Sequence, residues 1–160
     1  MQAIRVLFHA LLAVSLPTAA AVTVTYGDPD RFTDVSDRNS DPRKVMQVLA
    51  GFLQKLGERD LPPGTDVRIE VLDLDRAGRP RMNLPTEIRV MNGKADMPCI
   101  DLKYTVESGG QVTKSTRERV CDPDYLRPLS FKANQNDPLG YEKRMLEEWF
   151  KARFVPKRAP

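Results

Sequence analysis

The chain has 160 residues, with 25 Lys and Arg against 22 Asp and Glu, a net charge of +3, two cysteines and one histidine. This length suits one domain with a real core, and the charge lacks the strong basic excess of a nucleic-acid binder.

The N-terminus sets the expected compartment. Arg5 gives a short positive start, an apolar run follows from Val6 to Leu16, and Ala19-x-Ala21 fits a signal-peptidase site. Residues 1–21 are therefore expected to be a removed leader. The run is too short for the roughly 20 apolar residues of a membrane span. Removing 21 of 160 residues leaves 139, expected to form a single domain over 22–160 with a frayed tail at 155–160. The mature balance is then 24 basic against 22 acidic residues, and no later stretch is apolar enough to span a membrane. The only histidine, His9, lies in the leader. The mature chain would have no imidazole for a Ser-His-Asp or Cys-His centre or for His-ligated zinc.

Val22 to Tyr26 reads as a short β-branched strand, closed by Gly27-Asp28-Pro29-Asp30. Arg31 to Ser40 is a polar loop with Phe32 and Val35 as core anchors. Asp28, Asp30, Asp34, Asp37 and Asp41 make its densest acidic run. An EF-hand reading puts Phe32 at a liganding position and lacks the required Gly, so turn and cap duty is the better reading. No metal or cofactor is expected.

Asp41-Pro42 opens a helix: Asp is a favoured N-cap, and Pro suits the first turn because its missing N–H has no partner there. Val45, Val48, Leu49, Phe52, Leu53 and Leu56 make one apolar face. Gly57 and then Pro62-Pro63-Gly64 end the element. Val67 to Val71 alternates as a strand, and the phase shifts at Leu72, which suggests a bulge. A loop runs from Arg76 to Leu84. Glu87 to Met91 is a further strand with Ile88 and Val90 inward, and Asn92-Gly93 is a tight-turn signal.

Met97 to Cys121 reads as a hairpin. Ile100, Leu102, Tyr104 and Val106 alternate with polar residues, and Gly109-Gly110 breaks the run. On the return strand Val112, Thr116 and Val120 face inward. Lys114 and Glu118 are misfits there and suggest an edge or partly wet surface. A three-residue loop, Gly109 to Gln111, sets Tyr104 opposite Thr116 and Ile100 opposite Val120, and this register brings Cys99 opposite Cys121. Directly opposed residues lie close enough for a disulfide. Asp137-Pro138 then repeats the capping device, and Leu139, Glu142, Met145, Leu146, Trp149, Phe150 and Phe154 keep helical spacing, with Glu142 the polar exception. The aromatic residues read as core rather than as a partner-binding face.

The expected architecture is α+β, an antiparallel sheet of about five strands with two amphipathic helices in the order β-α-β-β-β-β-α. Four segments, Val24 to Asp34 (VTYGDPDRFTD), Leu61 to Gly64 (LPPG), Val71 to Gly78 (VLDLDRAG) and Tyr141 to Phe150 (YEKRMLEEWF), carry a resemblance over nearly the whole mature chain. The chain resembles a family of small secreted bacterial proteins filed as domain of unknown function 3016. The resemblance implies a Gram-negative envelope or secreted protein, periplasmic or released, and supplies no catalytic residues.

Candidate chemistry is sparse. Asp73 and Asp75, two apart at a strand end, share a face, and paired carboxylates are the raw material of acid/base hydrolysis. Arg76, Arg79 and Arg81 follow at once and with Lys94 offer a small anion-binding patch. The expected function is a soluble, non-enzymatic envelope protein binding an unknown partner protein or a small anionic ligand at these residues; the alternative is a carboxylate-based hydrolase using Asp73 or Asp75. A pocket lined by the two aspartates with Arg76 or Arg79 favours the hydrolase, and a flat surface favours binding.

Overall fold

A computed structural model describes residues 19–35, 41–81, 88–127 and 137–155. Among these residues six strands and two α-helices follow in chain order: β1 (Ala21–Tyr26), α1 (Pro42–Asp60), β2 (Thr65–Asp75), β3 (Arg79–Pro80), β4 (Arg89–Val90), β5 (Cys99–Ser108), β6 (Gln111–Cys121) and α2 (Gly140–Phe154). The class is α+β, with a four-stranded sheet ordered β1-β2-β5-β6 and a separate pair, β3-β4.

The large sheet is mixed. β1 runs parallel to β2, with Val22 opposite Val67, while β2-β5 and β5-β6 are antiparallel. A parallel neighbour requires a crossover, and α1 supplies it. The strand expected at 87–91 does not join this sheet. It is reduced to Arg89–Val90, pairs with Arg79–Pro80, and turns its parity over: Ile88 is 49% and Val90 37% exposed, while Arg89 points inward. The reason is polar satisfaction. Arg89 donates to Ala77 O and Gly78 O at 2.8 Å and pairs with Asp34 at 2.5 Å, which a buried guanidinium requires.

Both helices pack on one face of the sheet. Met46, Leu49, Leu53 and Leu56 of α1 and Met145, Leu146, Trp149 and Phe150 of α2 meet Ile69, Val71, Leu74, Ile100, Leu102 and Tyr104. Each such side chain, fully buried, contributes about 1.5–3 kcal/mol. Asp41 caps α1 by accepting the Arg43 N–H at 2.9 Å. The helix passes through Gly57, ends at Asp60, and leaves Val48 exposed. Asp137 does not cap α2 directly. It accepts the Leu139 N–H at 3.0 Å, and α2 starts only at Gly140 after that turn. In the Asp-rich loop, Asp28 caps a 3-10 turn at Pro29–Arg31 and Asp34 holds Arg89; Asp37 lies outside the described residues. Phe32 and Val35 anchor the loop on the core.

In the hairpin the pairing of Cys99 with Cys121, Ile100 with Val120 and Tyr104 with Thr116 is the expected one. The loop is not. Gly109 and Gly110, both at positive φ, form a two-residue turn, and a bulge restores the register: Glu107 pairs with Val112 but Val106 with Lys114, so Thr113 is the extra residue. Cys99 and Cys121 form a disulfide with Cα atoms 4.2 Å apart.

Candidate functional site

The end of β2, paired with Cys99 and Asp101 of β5, carries Asp73 and Asp75. The bulge at Leu72 does the positioning: Val71 pairs with Leu102 and Asp73 with Asp101, so one residue is skipped. Leu74 thereby returns to the core opposite Ile100. Asp73 and Asp75 take the other parity, opposite Asp101 and Cys99.

The two aspartates have different surroundings. Asp73 accepts the Thr33 N–H and the Thr33 hydroxyl, both at 2.6 Å and one on each carboxylate oxygen, and also the Leu74 N–H at 2.9 Å. It fastens the loop after β1 to the end of β2. Asp75 lies 3.9 Å from Arg79. Burial pushes its carboxyl above the ordinary aspartate value; Asp34 and Asp73 push the same way, against Arg79 and Arg119. Arg119 in turn reaches Asp101 at 3.4 Å.

The arginines also separate. Arg79 and Arg81 are exposed, as is Lys94. Arg76 is 3% exposed and donates to Pro138 O at 3.3 Å. It leaves the surface patch for the interior, where it lies near Glu142. That glutamate is buried on α2 and accepts the Ala77 N–H at 2.8 Å; burial raises its carboxyl against Arg76 and Arg89. A sequence signal for Arg76 existed: it shares the parity of buried Leu74.

Two further networks were not legible residue by residue. Asp96 accepts the Tyr125 hydroxyl at 2.6 Å and the Asn92 N–H at 2.9 Å. Burial alone would raise Asp96, but these hydrogen bonds outweigh it and hold the carboxyl below its ordinary value; Tyr125 is raised, by burial first and then by Asp96. Arg144, also buried, pairs with Asp122 at 2.6 Å and donates to Tyr125 O. Together these groups pin the turn after β6 to α2.

A concave surface among the described residues lies elsewhere. A groove of about 360 Å³ opens between the end of β6 and α2, lined by Val120, Met145 and Trp149 with Arg127, Glu148 and Arg153 among its charged residues. None of the five residues expected to bind lines it. Among the described residues no helix is long and apolar enough to cross a membrane, and no group of three His, Cys, Asp or Glu is arranged to hold a metal ion.

A family model described as Protein of unknown function (DUF3016) matches residues 20–152. No curated protein and no solved structure matches the chain.

Proposed function

The chain belongs to the family described as Protein of unknown function (DUF3016), and from that premise we propose that it is an exported envelope protein that binds a partner and is not an enzyme. The observation that carries this reading is the division of the Asp73–Asp75 pair. An acid/base dyad needs two carboxyls facing one substrate. Asp73 instead has both oxygens engaged by Thr33. Two separate features support recognition as the role: the exposed cations Arg79 and Arg81, and the groove along α2 with its mixed apolar and charged lining.

Export is supported by the leader-like segment and by the Cys99–Cys121 bridge, which persists in an oxidising compartment. The test is affinity capture with the mature chain from envelope extracts, with N-terminal sequencing of the native protein from the same fraction. A chain beginning near Val22 and one reproducibly enriched partner are expected. An intact leader, or no enrichment over a bait of similar charge, overturns the reading.

One observation favours a second reading, hydrolysis. Asp75 is partly buried, has a raised carboxyl and faces Arg79, features shared with catalytic acids. Hydrolytic activity in purified protein that disappears in Asp75→Asn and survives in Asp73→Asn would replace the binding reading with this one.

A further inference from the structure

Among the described residues β6 is the last strand of the large sheet, and nothing pairs with its outer edge. The ladder fixes which backbone groups face that edge. Asp122 donates its N–H to Pro98 O at 3.1 Å, so that opposed pair is hydrogen-bonded. Antiparallel pairs alternate between hydrogen-bonded and non-hydrogen-bonded. Ile100–Val120, Leu102–Glu118 and Tyr104–Thr116 are therefore the bonded pairs. The close Cα approach of Cys99 and Cys121, at 4.2 Å, fits the other class. It follows that Ser115, Arg117 and Arg119 aim their N–H and C=O groups away from β5, at the open edge.

The side chains of these three residues lie on the uncovered face of the sheet and are exposed. Arg119 is 3.4 Å from Asp101, whereas Arg117 has no ion-pair partner among the described residues. On the other face of the same strand, Val120 borders the groove against α2. Free ladder groups, two cations in alternate positions and an adjoining recess of mixed polarity thus lie along one strand.

We propose that β6 is a docking edge for an extended acidic segment of another protein, which adds to the sheet as a fifth strand. The proposal rests on the binding reading above and names its partner's chemistry. In strand addition the main chain gives affinity and alternate side chains give specificity. Carboxylates two residues apart on the incoming strand meet Arg117 and Arg119, and an apolar neighbour faces the recess beside Val120. A second copy of this chain fits less well, because β6 against β6 collects Arg117 and Arg119 of both copies on one face, and like charges across a pair destabilise it.

The probe is a fluorescein-labelled peptide of about ten residues alternating valine and glutamate, titrated by anisotropy against the mature chain with its disulfide intact. Two controls are a valine–lysine peptide and the valine–glutamate peptide methylated on its glutamate backbone nitrogens, which keeps the charge and loses the ladder donors. The parent peptide is expected to bind about tenfold or more tightly than either control. Arg117→Glu is expected to weaken it about tenfold. Ser115→Pro removes the edge-facing N–H and no backbone bond to β5, but also the hydroxyl contact with Thr105 at 3.4 Å; it is expected to abolish binding, whereas Ser115→Ala, which loses only that contact, is expected to bind as wild type. Equal binding of the methylated or the lysine peptide overturns the proposal. So does a stable dimer in sedimentation that Ser115→Pro dissociates, which assigns the edge to a second copy. If envelope capture returns the same partner with wild type and Ser115→Pro, the edge falls while the binding reading stands; if capture returns nothing with either, the binding reading itself falls.

Discussion

Glu118 accepts the indole N–H of Trp149 at 2.9 Å, joining the inner face of β6 to α2. The same carboxylate accepts the Tyr104 hydroxyl at 3.1 Å and the Arg153 Nε–H at 3.1 Å. Burial alone would raise it, but these donors outweigh burial and hold it below its ordinary value of 4.5. A carboxyl depressed in the fold stabilises the protein above its unfolded value, and that contribution disappears as pH falls through the folded value. Glu118→Gln should therefore flatten the loss of stability below pH 4.5, measured as urea midpoints across a pH series. Glu118→Ala leaves the buried Trp149 and Tyr104 donors unpaired and frees the exposed Arg153, and should cost about 1–3 kcal/mol at neutral pH.

The disulfide spans 22 residues of sequence between strands that are already neighbours. In the chain-entropy model its removal destabilises by about 3 kcal/mol. Differential scanning calorimetry of Cys99→Ser/Cys121→Ser should show a melting point lower by about 10 °C. An unchanged melting point would show that the bridge does not stabilise the fold.

Thr33 and Asp73 are expected to be coupled. A double-mutant cycle of Thr33→Val and Asp73→Ala, read by chemical denaturation, should give a coupling energy of about 1 kcal/mol from the hydroxyl's bond to the charged carboxylate, the Thr33 N–H bond surviving in Thr33→Val. Additive effects would mean that the Thr33 hydroxyl does not engage Asp73, and would weaken the support for the non-enzymatic reading.

Gly57 lies inside α1, three residues before its end at Asp60, where alanine ordinarily stabilises by about 1 kcal/mol. Here a Cβ would collide with the Val22 side chain. Gly57→Ala should instead destabilise by about 1–3 kcal/mol through overpacking. Adding Val22→Ala, which removes the colliding methyl, should recover part of the loss in equilibrium unfolding.

Much of the hairpin was legible because period-two alternation assigns faces, and Cys99 and Cys121 then fall opposite one another. Its loop was not: a three-residue loop and a two-residue turn with a bulge at Thr113 give the same pairing from Cys99 to Val106. The misfits carried information. Lys114 and Glu118 mark a true edge strand, with Lys114 over the Tyr104 ring. Glu142, the polar exception on its helix, is buried against Ala77. The parallel partner of β1 follows from a strand-helix-strand order rather than from residue type, and strand alternation alone is blind to it. The inward turn of Arg89 depends on carbonyls and a carboxylate distant in sequence. At the candidate site the common face of Asp73 and Asp75 was readable from spacing. Their separate fates were not, because Thr33 lies 40 residues from Asp73.

β1 begins at Ala21, and Val22 is wedged between β2 and α1, its side chain close against Gly57. On the export reading, the bond from Ala21 to Val22 is at once the leader's scissile bond and the first peptide of the sheet. A peptidase needs that bond extended and accessible, whereas in the fold Val22 is buried and the strand is tied to Asp66 and Val67. Processing and folding then compete for the same two residues. The leader must be cut before β1 docks, and a precursor that folds first becomes a poor substrate for its own maturation.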